Sequence, residues 1–226
     1  LWLDRLPQGV SRRTLAMRLR LKAARLAGEP SQALDTALLL IKHRAFASEA
    51  AESMVRSLVF ELIAKTHELG QMQRLWARLG EAQRQSSDLA IQAAQHWLHL
   101  KGDSAVARTW LKPIWNKMQQ NTKQLSKAQQ LKLVQVLDLS FTGQDSSEER
   151  EWLVSIENAQ KANPRDALLQ FLAGRLCQKR QLWGKAQVLL AQAAPALEDL
   201  QLRRQAWRAV AELAEQREDV AAALQA

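Results

Sequence analysis

Tyrosine is missing from this 226-residue chain, and glycine and proline are scarce, at eight and five residues. A β-rich protein needs turn glycines and a good supply of Val, Ile, Thr and Tyr, so this shortage argues against one. A single cysteine, Cys177, excludes an intramolecular disulfide framework and any multi-cysteine metal site. No run approaches the ~18 uninterrupted apolar residues of a membrane-spanning helix, and no secretory signal opens the sequence. There is no G-x-S-x-G, no H-E-x-x-H and no glycine-rich phosphate loop, so no catalytic residues are assigned and an enzyme is not expected.

What is present is helix-forming: Ala, Leu, Gln, Arg, Lys and Glu dominate, and apolar residues make up 47%, ample for a core. Apolar periodicity predicts helices over 11–27, 30–43, 48–69, 71–82, 87–101, 103–119, 126–141, 148–162, 165–180, 182–194, 197–216 and 218–226. Ser126 with Gln129 and Ser146 with Glu149 have capping-box spacing, and Asn163-Pro164 reads as an N-cap followed by proline at the first helical position. Gly28, Gly70, Gly102 and Gly143 read as helix stops. Pro113 falls inside a predicted helix and is expected to kink it. Thr142 to Arg150 reads as a polar loop, with no composition break dividing the chain, so residues 1–226 are expected to form a single repeat domain.

The helices repeat. Gly174 and Ala186 are twelve residues apart, followed by Leu190 and Ala193, a small–small spacing that lets two antiparallel helices cross closely. Equivalent second-helix positions are Ala33, Leu75, Ala107, Trp152 and Ala223, giving spacings of 42, 32, 45, 34 and 37 through Ala186. These scatter around the ~34 residues of the tetratricopeptide repeat. Gly28, Gly70 and Gly102 each precede such a position by five residues, and Pro164 lies twelve after Trp152. The expected fold is all-α: an α-α superhelix, a tetratricopeptide-like solenoid of five to six helical hairpins. Leu75 and Trp152 are large where the repeat has a small residue.

The net charge of +9 is uneven. Residues 1–45 hold nine Lys and Arg against three acids, a net of +6. That asymmetry suggests an acidic protein, a nucleic acid or an anionic membrane surface at this end.

Several segments resemble the HemY family, tetratricopeptide-containing proteobacterial proteins associated with protohaem IX biogenesis. They are Arg18-Leu-Arg-Leu-Lys-Ala-Ala-Arg25, Leu39-Leu-Ile-Lys-His-Arg-Ala-Phe46, Asn163-Pro-Arg-Asp166, Gln181-Leu-Trp-Gly-Lys-Ala186 and Ala206-Trp-Arg-Ala209. The resemblance implies an N-terminal membrane anchor outside this sequence and a repeat region on the cytoplasmic side of the bacterial inner membrane. The implied role is to scaffold late haem-pathway enzymes. The family offers no catalytic motif to transfer. The sequence begins at Leu1 rather than Met and stops within a helical pattern, so it is expected to be a region of a longer chain.

Among individual residues, Arg18, Lys22 and Arg25 share one face of the first helix and form the candidate partner-binding seam. It is flanked by two apolar stripes, Leu15, Leu19, Ala23 and Leu26 on one side and Met17, Leu21 and Ala24 on the other, so the helix is expected to pack between neighbours. Charge-assisted hydrogen bonds to carboxylates are the expected chemistry. Of eight tryptophans, Trp76, Trp97, Trp110, Trp152 and Trp207 are expected to fill gaps between hairpins, with Trp2 and Trp183 exposed. His96 and His99 are three apart on a helix without a companion carboxylate or thiol, and His43 lies between two cations. No metal or cofactor site is assigned, and Cys177 is expected to pack in the core. Glu148, Glu149 and Glu151 read as a solvated helix start that complements the helix dipole. The expected function is a protein–protein scaffold. The alternative, from a different class, is a basic nucleic-acid or anionic-lipid binder acting through the Arg12–Arg25 region, although no aromatic–basic interleaving favours nucleic acid.

Overall fold

The computed structural model describes residues 14–42, 48–120 and 124–223, and every element among them is helical. In chain order the helices are α1 (Thr14–Leu26), α2 (Pro30–Lys42), α3 (Ser48–Ala64), α4 (Leu69–Arg78), α5 (Glu81–Arg84) and α6 (Ser87–His99). They continue as α7 (Ser104–Gln120), α8 (Lys127–Ser140), α9 (Ser147–Ala162), α10 (Ala167–Lys179), α11 (Trp183–Ala196) and α12 (Leu200–Ala223). The fold is all-α, with helices packed against their neighbours in sequence. Contacts cluster into two compact units, Leu1–His96 and Trp97–Ala226, and the boundary falls inside α6.

In the first unit α1 packs on α2, α2 on α3 and α3 on α4. Met17, Leu21 and Ala24 of α1 meet a core built from Ala33, Leu34, Ala37 and Leu40 of α2 and from Val55, Leu58, Val59 and Ile63 of α3. Arg78 ties α4 back to α2, through Asp35 Oδ1 at 2.5 Å and the Ser31 hydroxyl and carbonyl at 3.0 Å. The short α5 was not foreseen. Its Arg84 donates to the carbonyls of Trp76 at 3.1 Å and Ala77 at 2.8 Å, satisfying acceptors at the end of α4. α6 is joined to α3 by Arg56–Asp88 at 3.6 Å.

In the second unit α10 is the central helix, touching α8, α9, α11 and α12. It is buried along nearly its whole length, from Leu169 through Cys177. The expected close crossing is found at Gly174: a Cβ there would lie 2.7 Å from Leu190 Cγ, and Ala186, Leu190 and Ala193 have no exposed surface. α7 is held to α9 by Trp115, whose Nε1 donates to Ser155 Oγ at 2.9 Å. Trp152 meets Trp115 at a tilt and Phe141 edge-on, each with ring centroids 6.0 Å apart.

One turn geometry recurs three times. After α1, α6 and α10 a residue with positive φ (Gly28 at 69°, Lys101 at 63°, Gln181 at 60°) closes the helix. In each case the next amide donates across six residues, Glu29 to Ala24, Gly102 to Trp97 and Leu182 to Cys177. Gly102 is therefore not the left-handed stop. Its role is room: a Cβ would sit 2.3 Å from the Trp97 ring. Gly70 is not a stop either, since it lies inside α4, and α3 ends earlier, at Ala64.

Other boundaries also moved. The predicted helices 197–216 and 218–226 are one helix, α12, because nothing between them breaks a run of helix formers. The N-cap of α10 is Asp166, whose carboxylate accepts from Leu168 and Leu169, rather than Asn163. Ser126 and Gln129 do form the full capping box. Pro113 is accommodated inside α7 and Pro195 inside α11.

Candidate interaction surface

α1 carries five leucine or methionine side chains and four cations, with no acidic residue. A helix with that composition can bury only one stripe, and Met17, Leu21 and Ala24 provide it. The second apolar stripe is uncovered: Leu15 is 70% exposed, Leu19 50% and Leu26 81%. The expectation that α1 packs between neighbours on both sides is corrected accordingly, for among the described residues α1 buries one face alone.

Arg18, Lys22 and Arg25 are all exposed, and the structure brings them together. They line one open cleft of about 580 Å³ with Leu21, Leu26 and Met54 of α3. A second cleft of about 530 Å³ shares Arg25 and Met54 and extends past Ser53, Ser57 and Glu61. The result is a trough between α1 and α3 with an apolar floor, cations along the α1 rim, and serines with one carboxylate along the α3 rim. Glu61 is engaged by Lys65 at 2.7 Å. Lys22 and Arg25 have no ionic partner among the described residues.

The histidines have separate jobs. His96 Nε2 lies 2.7 Å from the Thr66 carbonyl, linking α6 to the end of α3, while His99 is exposed. Among the described residues no three His, Cys, Asp or Glu side chains gather as a metal would need. His43 and Trp2 lie outside the described residues. Cys177 is fully buried, and burial together with the neighbouring Glu157 carboxylate pushes its thiol up to about 11. It packs as a small apolar residue, with little thiolate to act as a nucleophile.

Two expectations about charge and aromatics fail. Glu149 is not solvated: it is 1% exposed. Its side chain accepts from the Thr142 amide at 3.0 Å, the Thr142 hydroxyl at 2.9 Å and the Gly143 amide at 3.1 Å. Arg108, itself 4% exposed, lies 3.4 Å from Glu149 and forks onto Glu148 at 2.9 and 2.7 Å. The same guanidinium donates to the Ser140 carbonyl and covers the Phe141 ring at 5.4 Å. Ser146 caps the Glu149 amide as expected, but the reciprocal half of the capping box is replaced by this network. Trp183 is exposed as expected. Trp207 is exposed as well, at 51%, because α12 buries Leu202, Ala206, Ala209 and Leu213, and Trp207 falls outside that stripe.

The same loop is gripped from α10. Lys179 donates to the carbonyls of Asp138 and of Phe141, the latter at 3.0 Å, and lies 3.2 Å from the Asp138 carboxylate. Burial pulls its amine below the usual lysine range, against the pull of Asp138. Asp145 is bracketed by Arg150 and Arg180, whose hydrogen bonds hold its carboxyl down at about 2. These charges neutralise one another and fix a backbone segment. Capping-box spacing was the available signal for Glu149, and it pointed to the wrong partner; nothing local marks Arg108, forty-one residues away.

No helix among the described residues is long and apolar enough to cross a membrane. Comparison with known protein families, with curated proteins and with solved structures finds no match to this chain.

Proposed function

We propose that this chain is a non-catalytic, protein-binding helical scaffold, and that the α1–α3 trough receives an acidic amphipathic segment of its partner. The observation that carries the reading is the convergence of Arg18, Lys22 and Arg25 on one open, apolar-floored trough. Apolar anchors of a bound helix would lie on Leu21 and Met54, and its carboxylates would meet the cationic rim. Support for a tetratricopeptide-type solenoid comes from the three recurrent turns and the close crossing at Gly174. Stacked hairpins offer extended binding area without moving parts. The resemblance to the HemY family supplies the biological setting: coordination of haem-pathway enzymes at the cytoplasmic face of the bacterial inner membrane, with an anchor outside this sequence.

Replacing Arg18, Lys22 and Arg25 together by Glu tests the trough. Partner capture should fall at least about tenfold while helicity is retained, because the rim then repels carboxylates. Unchanged capture sinks the trough. For the setting, the full-length protein is crosslinked in native membranes and its partners recovered; the reproducible return of unrelated partners, with no haem-pathway enzyme, sinks that role.

A second reading draws on the outward leucines. Leu15, Leu19 and Leu26 beside three cations also suit an anionic bilayer surface. Binding to anionic but not zwitterionic vesicles, weakening steeply with salt, would favour lipid over a peptide held on Leu21 and Met54.

A further inference from the structure

The outward face of α12 has a pattern that the trough does not use. With Leu202, Ala206, Ala209 and Leu213 turned inward, the opposite face carries Leu200, Arg204, Trp207 and Ala211, with Ala214 at its edge. These positions step by four, three, four and three, the spacing of a helix seam that packs against another helix. Leu200 is 63% exposed, so the two largest apolar side chains of the seam both face solvent. The seam is also graded along its length. Its N-terminal half is bulky and basic, with Leu200, Arg204, Trp207 and Arg208. Its C-terminal half is small and acidic, with Ala211, Ala214 and Glu215. Arg204 and Glu215 have no partner among the described residues, and Arg208 meets only Glu212, at 3.0 Å.

We infer that this face docks a second copy of the chain, α12 against α12, antiparallel about a two-fold axis near Ala211. A surface that is bulky and basic at one end and small and acidic at the other is complementary to itself only when reversed. In that register Trp207 of one copy lies over Ala214 of the other, and Glu215 falls between Arg204 and Arg208 of its mate. Each contact occurs twice, as a two-fold requires. From Leu200 to Glu215 the seam is about 24 Å long. One helix pair makes a modest interface, so the association is reversible and concentration-dependent.

Sedimentation equilibrium of the whole chain from micromolar to millimolar concentration reads the association directly. The expected result is a monomer–dimer equilibrium, weakened at least about tenfold by Trp207→Ala. The pair Arg204→Glu with Arg208→Glu should abolish self-association, and so should Glu215→Arg. Mixing those two variants should restore a dimer, because each then presents the charge the other lacks. That rescue cannot come from misfolding, and circular dichroism of each variant checks helicity. A wild-type chain that stays monomeric throughout, or charge variants whose mixture associates no better than either alone, overturns the inference. A face covered by some other polypeptide would give one of those results.

Discussion

The two compact units use similar side chains for opposite purposes. In the second, cations are paired with carboxylates, Arg108 buried with Glu149 and beside Glu148, Arg175 and Lys179 half-buried on Asp138, and Arg180 half-buried on the exposed Asp145. In the first, Lys22 and Arg25 stand on a helix without a single acid, beside exposed leucines. A buried cation with its carboxylate in place is a structural part, whose removal leaves a charge stranded. An exposed cation without one contributes almost nothing to folding and remains available for a ligand. The difference lies in placement, since nothing in the identity of an arginine separates Arg108 from Arg25.

The sharpest way to break this comparison is a matched pair of substitutions. Arg108→Met should destabilise the protein by about 3–5 kcal/mol, because Glu149 is left buried without its cation. Lys22→Met should change stability by less than about 0.5 kcal/mol. Urea denaturation of both variants gives the answer, and equal effects would erase the distinction between the units. A smaller effect, of opposite sign, belongs to the turns. Lys101 and Gln181 adopt a left-handed conformation that Gly28 adopts without steric cost. Lys101→Gly and Gln181→Gly should each raise stability by up to about 1 kcal/mol, measured by the same denaturation. The subtlest test uses acid. The Asp145 carboxyl is held at about 2, below its ordinary 3.8. A depressed carboxylate contributes stability that is fully present above the unfolded value and is lost as pH falls through the folded one. NMR should therefore find the Asp145 carboxyl still ionised at pH 3, titrating close to 2; a midpoint near 3.8 would mean that Arg150 and Arg180 do not grip it.

How much of this was legible in the sequence follows from what each signal measures. Apolar spacing registers which stripe of a helix wants burial, so α1, α2, α7, α10 and α11 appear nearly where expected. It also put Arg18, Lys22 and Arg25 on one face. It says nothing about whether a second apolar stripe finds a neighbour, so the exposure of Leu15, Leu19 and Leu26 was invisible. Glycine as a stop signal misled at Gly70, because tolerance of positive φ does not oblige a residue to adopt it. Trp207 is expected inside because it sits among apolar residues at helical spacing, but the inward stripe of α12 is filled by Leu202, Ala206, Ala209 and Leu213. Glu149 was lost for the opposite reason: the partners that bury it come from a loop and from α7, forty-one residues upstream, beyond any local pattern.

The segment from Phe141 to Ser146 has the composition of a place to cut a protein or graft a tag. Its backbone is nevertheless anchored from α9 and α10, and Gly143, with φ at 81°, leaves no space for a Cβ, which would fall 2.4 Å from the Lys179 carbonyl. Hydrophilic loops accept insertions when their amides and carbonyls face water. Here the Thr142 and Gly143 amides and the Phe141 and Asp145 carbonyls are already engaged, so a protein engineer seeking a permissive site in this unit should look elsewhere, and a protease should find this hydrophilic stretch slow to yield.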